Sequence, residues 1–329
     1  MNAPRRLDVV SFVIPVRNDA SRLMRCIRSI LSNPSPGVHV EIVVADNGST
    51  DDSADVARSL GARVIEMPGA RLGAMRNAAA SAAQGDVLAF VDADHEIGAA
   101  WVRSAVESMA GPDVVAVGAP CLPPDEATWV QRMYDRLRQH DPGVKPVEWL
   151  GSGNMAVRRA AFEAVNGFDT SLETCEDVDL CRKLRAAGGI LLGDARLHNV
   201  HYGDPATLAS VFSGELWRGR DNLRVSLRPP RTWRTLASAA IPLTILTALV
   251  VMLVGLVSGT AWGWVAATTA LLCLFGLALA RSGKMVWRHG RVVREWPIAF
   301  AVACAYDLGR ALALAARAGY GSRREVASR

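Results

Sequence analysis

Between Thr235 and Ala280 the sequence carries no charged side chain at all. One continuous helix over that run would measure about 69 Å, more than twice the ~30 Å of a bilayer's hydrocarbon core. A single span is therefore excluded and two fit, with the break at Ser258-Gly259-Thr260 and spans expected over Leu236–Val257 and Ala261–Ala280. No apolar stretch follows the arginines at the start of the chain, so no secretory signal is expected and the part before the hairpin is expected to stay in the cytoplasm. The six cysteines (Cys26, Cys121, Cys175, Cys181, Cys273, Cys304) form no CxxC pair, which leaves them as reduced packing residues. No aromatic-rich basic motif accompanies the net charge of +5. The arginines gather beside apolar segments, which points to anionic lipid headgroups as partners and not to nucleic acid. The turn Pro15-Val16-Arg17-Asn18 lacks a GxGxxG phosphate loop, which argues against a dinucleotide oxidoreductase. There is no internal repeat or low-complexity tract.

The charge that is present flanks the hairpin. Arg218, Arg220, Arg224, Arg228, Arg231 and Arg234 precede the first span, and Arg281, Lys284, Arg288, Arg291 and Arg294 follow the second. Positive charge on both sides places both sides inside, while Trp262 and Trp264 sit beside the short outer turn, where indoles favour the interface. A third apolar segment, Ile298–Ala316, contains Asp307 and Arg310, three apart on one helix face. Arg317, Arg323, Arg324 and Arg329 follow it. A helix lying in the cytoplasmic leaflet is the preferred reading, and a third span is its rival. Alanine- and arginine-rich usage suggests a bacterium, so the expected location is the bacterial inner membrane. The expected layout is a cytoplasmic catalytic domain over 1–217, a basic linker over 218–235 with Pro229-Pro230, the hairpin over 236–280, and a basic remainder over 281–329.

The soluble part alternates strand and helix. Val9–Val16 is a buried-strand run, and Leu23, Cys26, Ile27, Ile30 and Leu31 follow at helical spacing until Asn33-Pro34-Ser35-Pro36-Gly37 stops them. Val40–Ala45, Arg63–Glu66 and Val87–Val91 read as further strands, with an acidic helix start at Asp51-Asp52 and an alanine-rich helix over Ala70–Ala83. Leu122–Asp125 and His140–Pro146 read as loops around a helix over Ala127–Arg138. Such alternation predicts an α/β fold with a mostly parallel sheet covered on both faces. Ligands gather outside the carboxyl ends of such strands, and Asp46 and Asp92 both fall there.

Asp92-Ala93-Asp94 sets two carboxylates just past a buried strand. Hard divalent cations take oxygen ligands and join carboxylates to substrate phosphates, an arrangement that can neutralise a departing nucleotide diphosphate. The plain alternative is turn or cap aspartates. Glu176-Asp177, with Asp179, opens a helical stretch; first-turn acids favour the helix dipole, and a carboxylate held there can equally serve as a general base. His201 is either a further metal or diphosphate ligand or a structural histidine.

The order of the pieces narrows these choices. Ser11-Phe12-Val13-Ile14-Pro15-Val16-Arg17-Asn18, Val44-Ala45-Asp46-Asn47-Gly48-Ser49-Thr50-Asp51, Gly85-Asp86-Val87 through Asp94, Gly153-Asn154-Met155-Ala156-Val157-Arg158-Arg159, Gly167-Phe168-Asp169 and Glu176-Asp177-Val178-Asp179-Leu180 together resemble the family 2 glycosyltransferases. The resemblance covers roughly the first two-thirds of the chain and implies a GT-A fold with inverting, single-displacement transfer from a nucleotide-sugar. It implies that Pro15, Asp46, Arg76 and Asp92 lie at the nucleotide-sugar and that Asp94, with Asp92, binds Mg²⁺ or Mn²⁺. It further implies that Asp177 is the base, oriented by Glu176, and that Gly151, Ser152, Gly153 and Asn154 line the acceptor cleft. Trp217-Arg218-Gly219-Arg220 loosely resembles a segment of processive synthases but lacks its glutamine-rich pattern. Asn47 stands where many relatives have aspartate, and Cys175 where glycine often precedes the Glu-Asp pair. The expected reaction is sugar transfer to a lipid-linked or exopolysaccharide hydroxyl at the inner leaflet. Transfer to polyprenyl phosphate, and a non-catalytic nucleotide-binding scaffold, are the alternatives.

Overall fold

The computed structural model describes residues 7–33, 35–138, 143–288 and 293–327. Residues 1–6, Pro34, His140 and the rest of 139–142, Arg291 and Arg329 lie outside the described residues. The strands are β1 (Val9–Val16), β2 (His39–Asp46), β3 (Arg63–Glu66), β4 (Val87–Val91), β5 (His95–Ile97), β6 (Val114–Gly118), β7 (Val144–Pro146), β8 (Asn154–Arg158), β9 (Ile190–Asp194) and β10 (Asn199–His201). The helices are α1 (Ala20–Leu31), α2 (Ser53–Ser59), α3 (Leu72–Ala82), α4 (Trp101–Ser108), α5 (Trp129–Asp135), α6 (Arg159–Ala164), α7 (Glu176–Ala186), α8 (Leu208–Arg218), α9 (Asn222–Ser226), α10 (Trp233–Ser258), α11 (Ala261–Arg288) and α12 (Trp296–Ala327). Two compact units result, Met1–Asp125 with Gln139–Asp204, and Glu126–Arg138 with Pro205–Arg329.

The first unit is a sheet in the order β3-β2-β1-β4-β8-β6-β9-β7, with a separate β10-β5 ribbon. Strands β3, β2, β1 and β4 run parallel. Strand β8 enters antiparallel between β4 and β6, so the sheet is mixed though mostly parallel. Alternation along β1 explains why both faces close: Val10, Phe12, Ile14 and Val16 pack on one side with α1 and α4, and Val13 packs on the other with residues of α3 and α7. On α1, Leu23, Cys26, Ile27 and Ile30 are all buried, as their 3–4 spacing requires.

Several boundaries differ from the sequence reading: β7 (Val144–Pro146) falls within the segment read as a loop, and α10 and α11 run beyond the expected spans. Helix α5 is shorter than Ala127–Arg138 because Thr128 closes a capping box with Gln131, leaving residue 127 outside. Asp51 accepts from the Ala20 and Ser53 backbone amides and stays ahead of α2. Residues 195–197 form a 3₁₀ turn because Asp194 accepts from the Arg196 amide, and strand pairing starts only at Asn199.

The direction of β8 matters most for the site. Its amino end lies beside the carboxyl end of β4, with Asn154 opposite Val91. Gly151–Asn154 thereby arrives at the edge where β1, β2 and β4 all end.

In the second unit three helices are long and apolar enough to cross a membrane by length and composition: Trp233–Ser258, Ala261–Trp287 and Trp296–Ala316. Gly259, at φ 62°, ends α10 in the left-handed region that glycine tolerates, which produces the hairpin break.

Candidate active site

Asp92 and Asp94 leave β4 in a short turn that the His95 amide closes onto the Asp92 carbonyl at 3.1 Å. The two carboxylates part company. Asp92 Oδ1 accepts from Arg76 Nη2 at 2.7 Å, while Asp94 Oδ2 lies 3.2 Å from His201 Nε2. The meeting of Asp94 and His201 depends on the β5–β10 ribbon, which sets His95 opposite His201. The two imidazole rings lie 4.4 Å apart between centroids, and His95 Nε2 is 3.7 Å from Asp94 Oδ1.

These three side chains suit a metal ion on chemical grounds. Their ligand atoms all lie within 4.8 Å of one another. His201 Nδ1 is 2.8 Å from the buried Asp204 carboxylate, the outer-shell partner that aims the other ring nitrogen at an ion. Asn199, fully buried, lies 2.5 Å from His95 Nδ1, and its own Oδ1 has no partner. Rotating that amide would let Oδ1 accept from Nδ1–H and leave the Nε2 lone pair facing Asp94. Gly203 permits the closure: a Cβ there would stand 1.8 Å from Asp94 Oδ2. Gly153 is similarly constrained, by His95 at 2.7 Å and Asp92 Oδ2 at 2.9 Å.

Burial alone would lower the His201 pKa, but hydrogen bonds to Asp204 and Asp94, and their charges, outweigh it and raise it to about 9. Burial would raise Asp94; the His201 hydrogen bond and the charges of His201, His95 and Arg22 hold it well below the usual carboxylate range instead.

Arg76 joins the two halves of the site. Only 2% exposed, it extends from α3 to Asp92 on one side and to Glu176 Oε1, at 2.6 Å, on the other. The neighbouring Asn77 pins Phe168 by hydrogen bonds of 2.9 Å to its amide and its carbonyl. Asp177 follows Glu176 on the first turn of α7. It accepts from its own helix at Val178 N, 2.8 Å, and from Ser152 N at 3.4 Å. Desolvation and the Glu176 charge push its carboxyl well above the ordinary aspartate range, against the pull of the Val178 amide and Arg76.

Other positions singled out in the sequence take different parts. Pro15 is buried on β1 beside Ala45. Asp46 ends β2 and accepts from the Ser49 amide at 3.2 Å, a turn role that leaves it on the same edge. Asn154 is turned into the protein, bonded to Trp101 Nε1, Ala119 O and Leu197 O, so it braces the 151–154 loop from behind. The sequence reading passed over His95, Gly203 and Asp204. The one available signal was the histidine directly after the Asp-Ala-Asp group.

Residues 11–165 match the family model described as Glycosyl transferase family 2. Validoxylamine A glucosyltransferase of Streptomyces hygroscopicus is 29% identical, over 56% of this chain and 53% of its own. Glycosyltransferase AglE of Haloferax volcanii is 28% identical, over 55% and 63%. Pre-mycofactocin glycosyltransferase of Mycobacterium tuberculosis is 29% identical, over 55% and 40%. The chain thus spans about half the length of the curated relatives it matches. Among solved structures, a mannosyltransferase from Pyrobaculum calidifontis in complex with GDP-Man and Mn²⁺ superimposes with a TM-score of 0.58 at 18% identity, over 92% of this chain and 86% of that one. GalNAc-T7 with UDP, GalNAc and Mn²⁺ gives 0.50 at 20% identity, over 68% and 51%. At these identities the likeness concerns the fold, which is of the GT-A type.

Proposed function

The chain belongs to glycosyl transferase family 2, and we propose that it moves a hexosyl unit, with inversion, from a nucleotide-diphosphate donor to a hydroxyl of a lipid-linked or polysaccharide acceptor. The observation that carries the reading is the Arg76 bridge, which ties Asp92, just past β4, to Glu176, the neighbour of Asp177, at the sheet edge that also bears Asp94. A scaffold with a degenerate site would have no reason to bury an arginine between two carboxylates at that edge.

In this reading Asp94 and His201, with His95 behind them and Asp204 orienting, hold a divalent ion of the kind present in the two solved neighbours. Bound there, the ion supplies charge neutralisation to the diphosphate as it leaves. Asp46 and Pro15 border the donor. Arg76 holds Asp92 in place, a positioning part that its burial makes more fitting than direct contact with the diphosphate. Asp177, held by the Ser152 and Val178 amides, takes the proton from the acceptor hydroxyl as that oxygen attacks the anomeric carbon from the opposite face. Its raised pKa makes it a stronger base than an exposed aspartate, and general-base assistance is typically worth ~10²–10⁴-fold.

The apolar hairpin and its arginine flanks support action at the inner leaflet of a membrane. The test is a thermal-shift panel of nucleotide-sugars with Mn²⁺ or Mg²⁺ on the detergent-solubilised full chain, followed by turnover. Metal-dependent stabilisation by one donor, with its hydrolysis, supports the proposal. Neither binding nor turnover across the panel would return the scaffold reading.

A further inference from the structure

Helix α12 is long and apolar enough to be a third span, yet its contacts run the wrong way for one. A third span following α11 would lie antiparallel to it, and its partners would move steadily back along α11. Trp296 sets the register, since its ring lies 3.3 Å from the position a Cβ on Gly283 would take. From that start an antiparallel helix would bring residue 307 level with Leu272 and residue 310 level with Thr269. Asp307 instead binds Arg281, at 2.8 Å to Nε and 2.7 Å to Nη2. Arg310 lies beside Asn222, whose amide, turned to satisfy its neighbours, accepts from Arg310 at 3.3 Å and contacts Ser238 near the start of α10. Phe300 meets Phe275 at 5.2 Å between centroids. Between Trp296 and Phe300 the contact moves back along α11, but over the next ~15 Å of α12, to Arg310, it returns toward the end where α10 begins and α11 finishes. The helix crosses that end and does not run beside the spans.

A second observation agrees. Helix α8 runs alongside α12 in the same direction, Phe212 and Glu215 against Gly309, and Gly219 against Ala313. Cβ atoms on these two glycines would come within 2.6 Å of Phe212 O and Ala313 Cβ. Glu215, fully buried, joins the two helices through Arg310 at 2.5 Å and also accepts from Tyr134 of α5 at 2.6 Å. Were α12 to cross the bilayer, α8 would be drawn in with it. Its length is too short to span, and its exposed Ser213, with the half-buried Ser210 one turn earlier, would meet hydrocarbon. The hairpin itself bears indoles at both ends: Trp233 and Trp287, 74% and 64% exposed, where α12 crosses, and Trp262, 83% exposed, at the turn. Those are the two headgroup levels.

We propose that α10 and α11 alone traverse the membrane, and that α12, joined to α8 by the Glu215–Arg310 ion pair and through Glu215 to Tyr134 of α5, and held to the end of α11 by Asp307–Arg281, lies in the plane of one interface as a collar in contact with lipid headgroups. The two ends of the chain are then expected on one side of the membrane. This inference does not rest on the sugar-transfer reading. Its test appends a protease-cleavable epitope after Arg329 of the full chain, with separate chains tagged ahead of Met1 and between Gly259 and Thr260, in sealed vesicles of known orientation. Cleavage of the two terminal tags from one side and the hairpin tag from the other is expected. Terminal tags cleaved from opposite sides would overturn the proposal and make α12 a span. As a second measurement, a thiol placed at Ser213 should react with a membrane-impermeant maleimide; protection there, lost on adding detergent, would also overturn it.

Discussion

At the residue scale, Asp177 is the position where function and stability oppose each other. Its folded pKa lies above the ~3.9 of an unstructured aspartate, so across the window above pH 4 the folded chain keeps a proton that the unfolded chain has lost. Stability drawn from this group is complete below that window and declines as pH rises through it. Asp177→Asn should therefore melt a few degrees higher than the parent at neutral pH, with the gain vanishing near pH 4, while kcat falls by ~10²–10⁴ and donor affinity holds. Thermal denaturation against pH, alongside steady-state kinetics, checks both signs; a transfer rate barely changed in the variant would instead fit an acceptor that is already an anion. Gly203 offers a cleaner test of the metal cradle. With 1.8 Å between its would-be Cβ and Asp94 Oδ2, Gly203→Ala should weaken Mn²⁺ binding by at least ~10-fold, read by calorimetry. Nothing in the sequence around Gly203 announced this, because the constraint comes from a carboxylate in the turn after β4, far away in the chain.

At the scale of elements, legibility followed element length. Strands β1, β2 and β4 and helix α1 carry enough buried positions to display their period, and their ends correctly placed Asp46 and Asp92 on one edge. Strands β5 and β10, three residues each, are too short to show any period, so the juxtaposition of Asp94, His95 and His201 could not be read from the chain. Arg76 stood out only through the resemblance, as a residue at the nucleotide-sugar; the packing of α3 against the sheet makes it the bridge between β4 and α7. Removing it should be costly. Arg76→Met leaves Asp92 and Glu176 without their shared cation, and breaking such a buried pair costs ~3–5 kcal/mol. Adding Glu176→Gln to that variant should recover part of the loss in chemical denaturation without restoring turnover. Cys175, at the start of α7, sits at φ 61°, a left-handed geometry that glycine adopts most readily. Left-handed geometry costs a side chain roughly 1–2 kcal/mol, and glycine's greater freedom in the unfolded chain takes back part of that. Cys175→Gly should stabilise by about 0.5–1 kcal/mol, measured by the same denaturation.

For the whole molecule, the decisive contrast is between how the two units treat apolar side chains. In the first unit most of the large ones are enclosed between helices and sheet. In the second, Leu253, Val254, Val257, Val265, Leu271 and Leu272 all stand more than half exposed on α10 and α11. A contiguous apolar surface of this kind has no stable existence in water. Removing apolar area from water is worth ~25 cal/mol per Å², so even a few hundred Å² outweighs the roughly 1 kcal/mol that each basic residue gains at an anionic surface. The two contributions respond differently to solvent. Salt shortens the Debye length to ~3 Å at 1 M and so removes the headgroup attraction, but leaves apolar burial intact or strengthened. Membranes containing the full chain should therefore retain it through washes at 1 M salt or alkaline pH and release it only to detergent. The purified protein should then lose its solubility when detergent is withdrawn and regain it in lipid nanodiscs. Release by salt alone would mean that the arginine flanks, and not the hairpin, hold the protein to the bilayer.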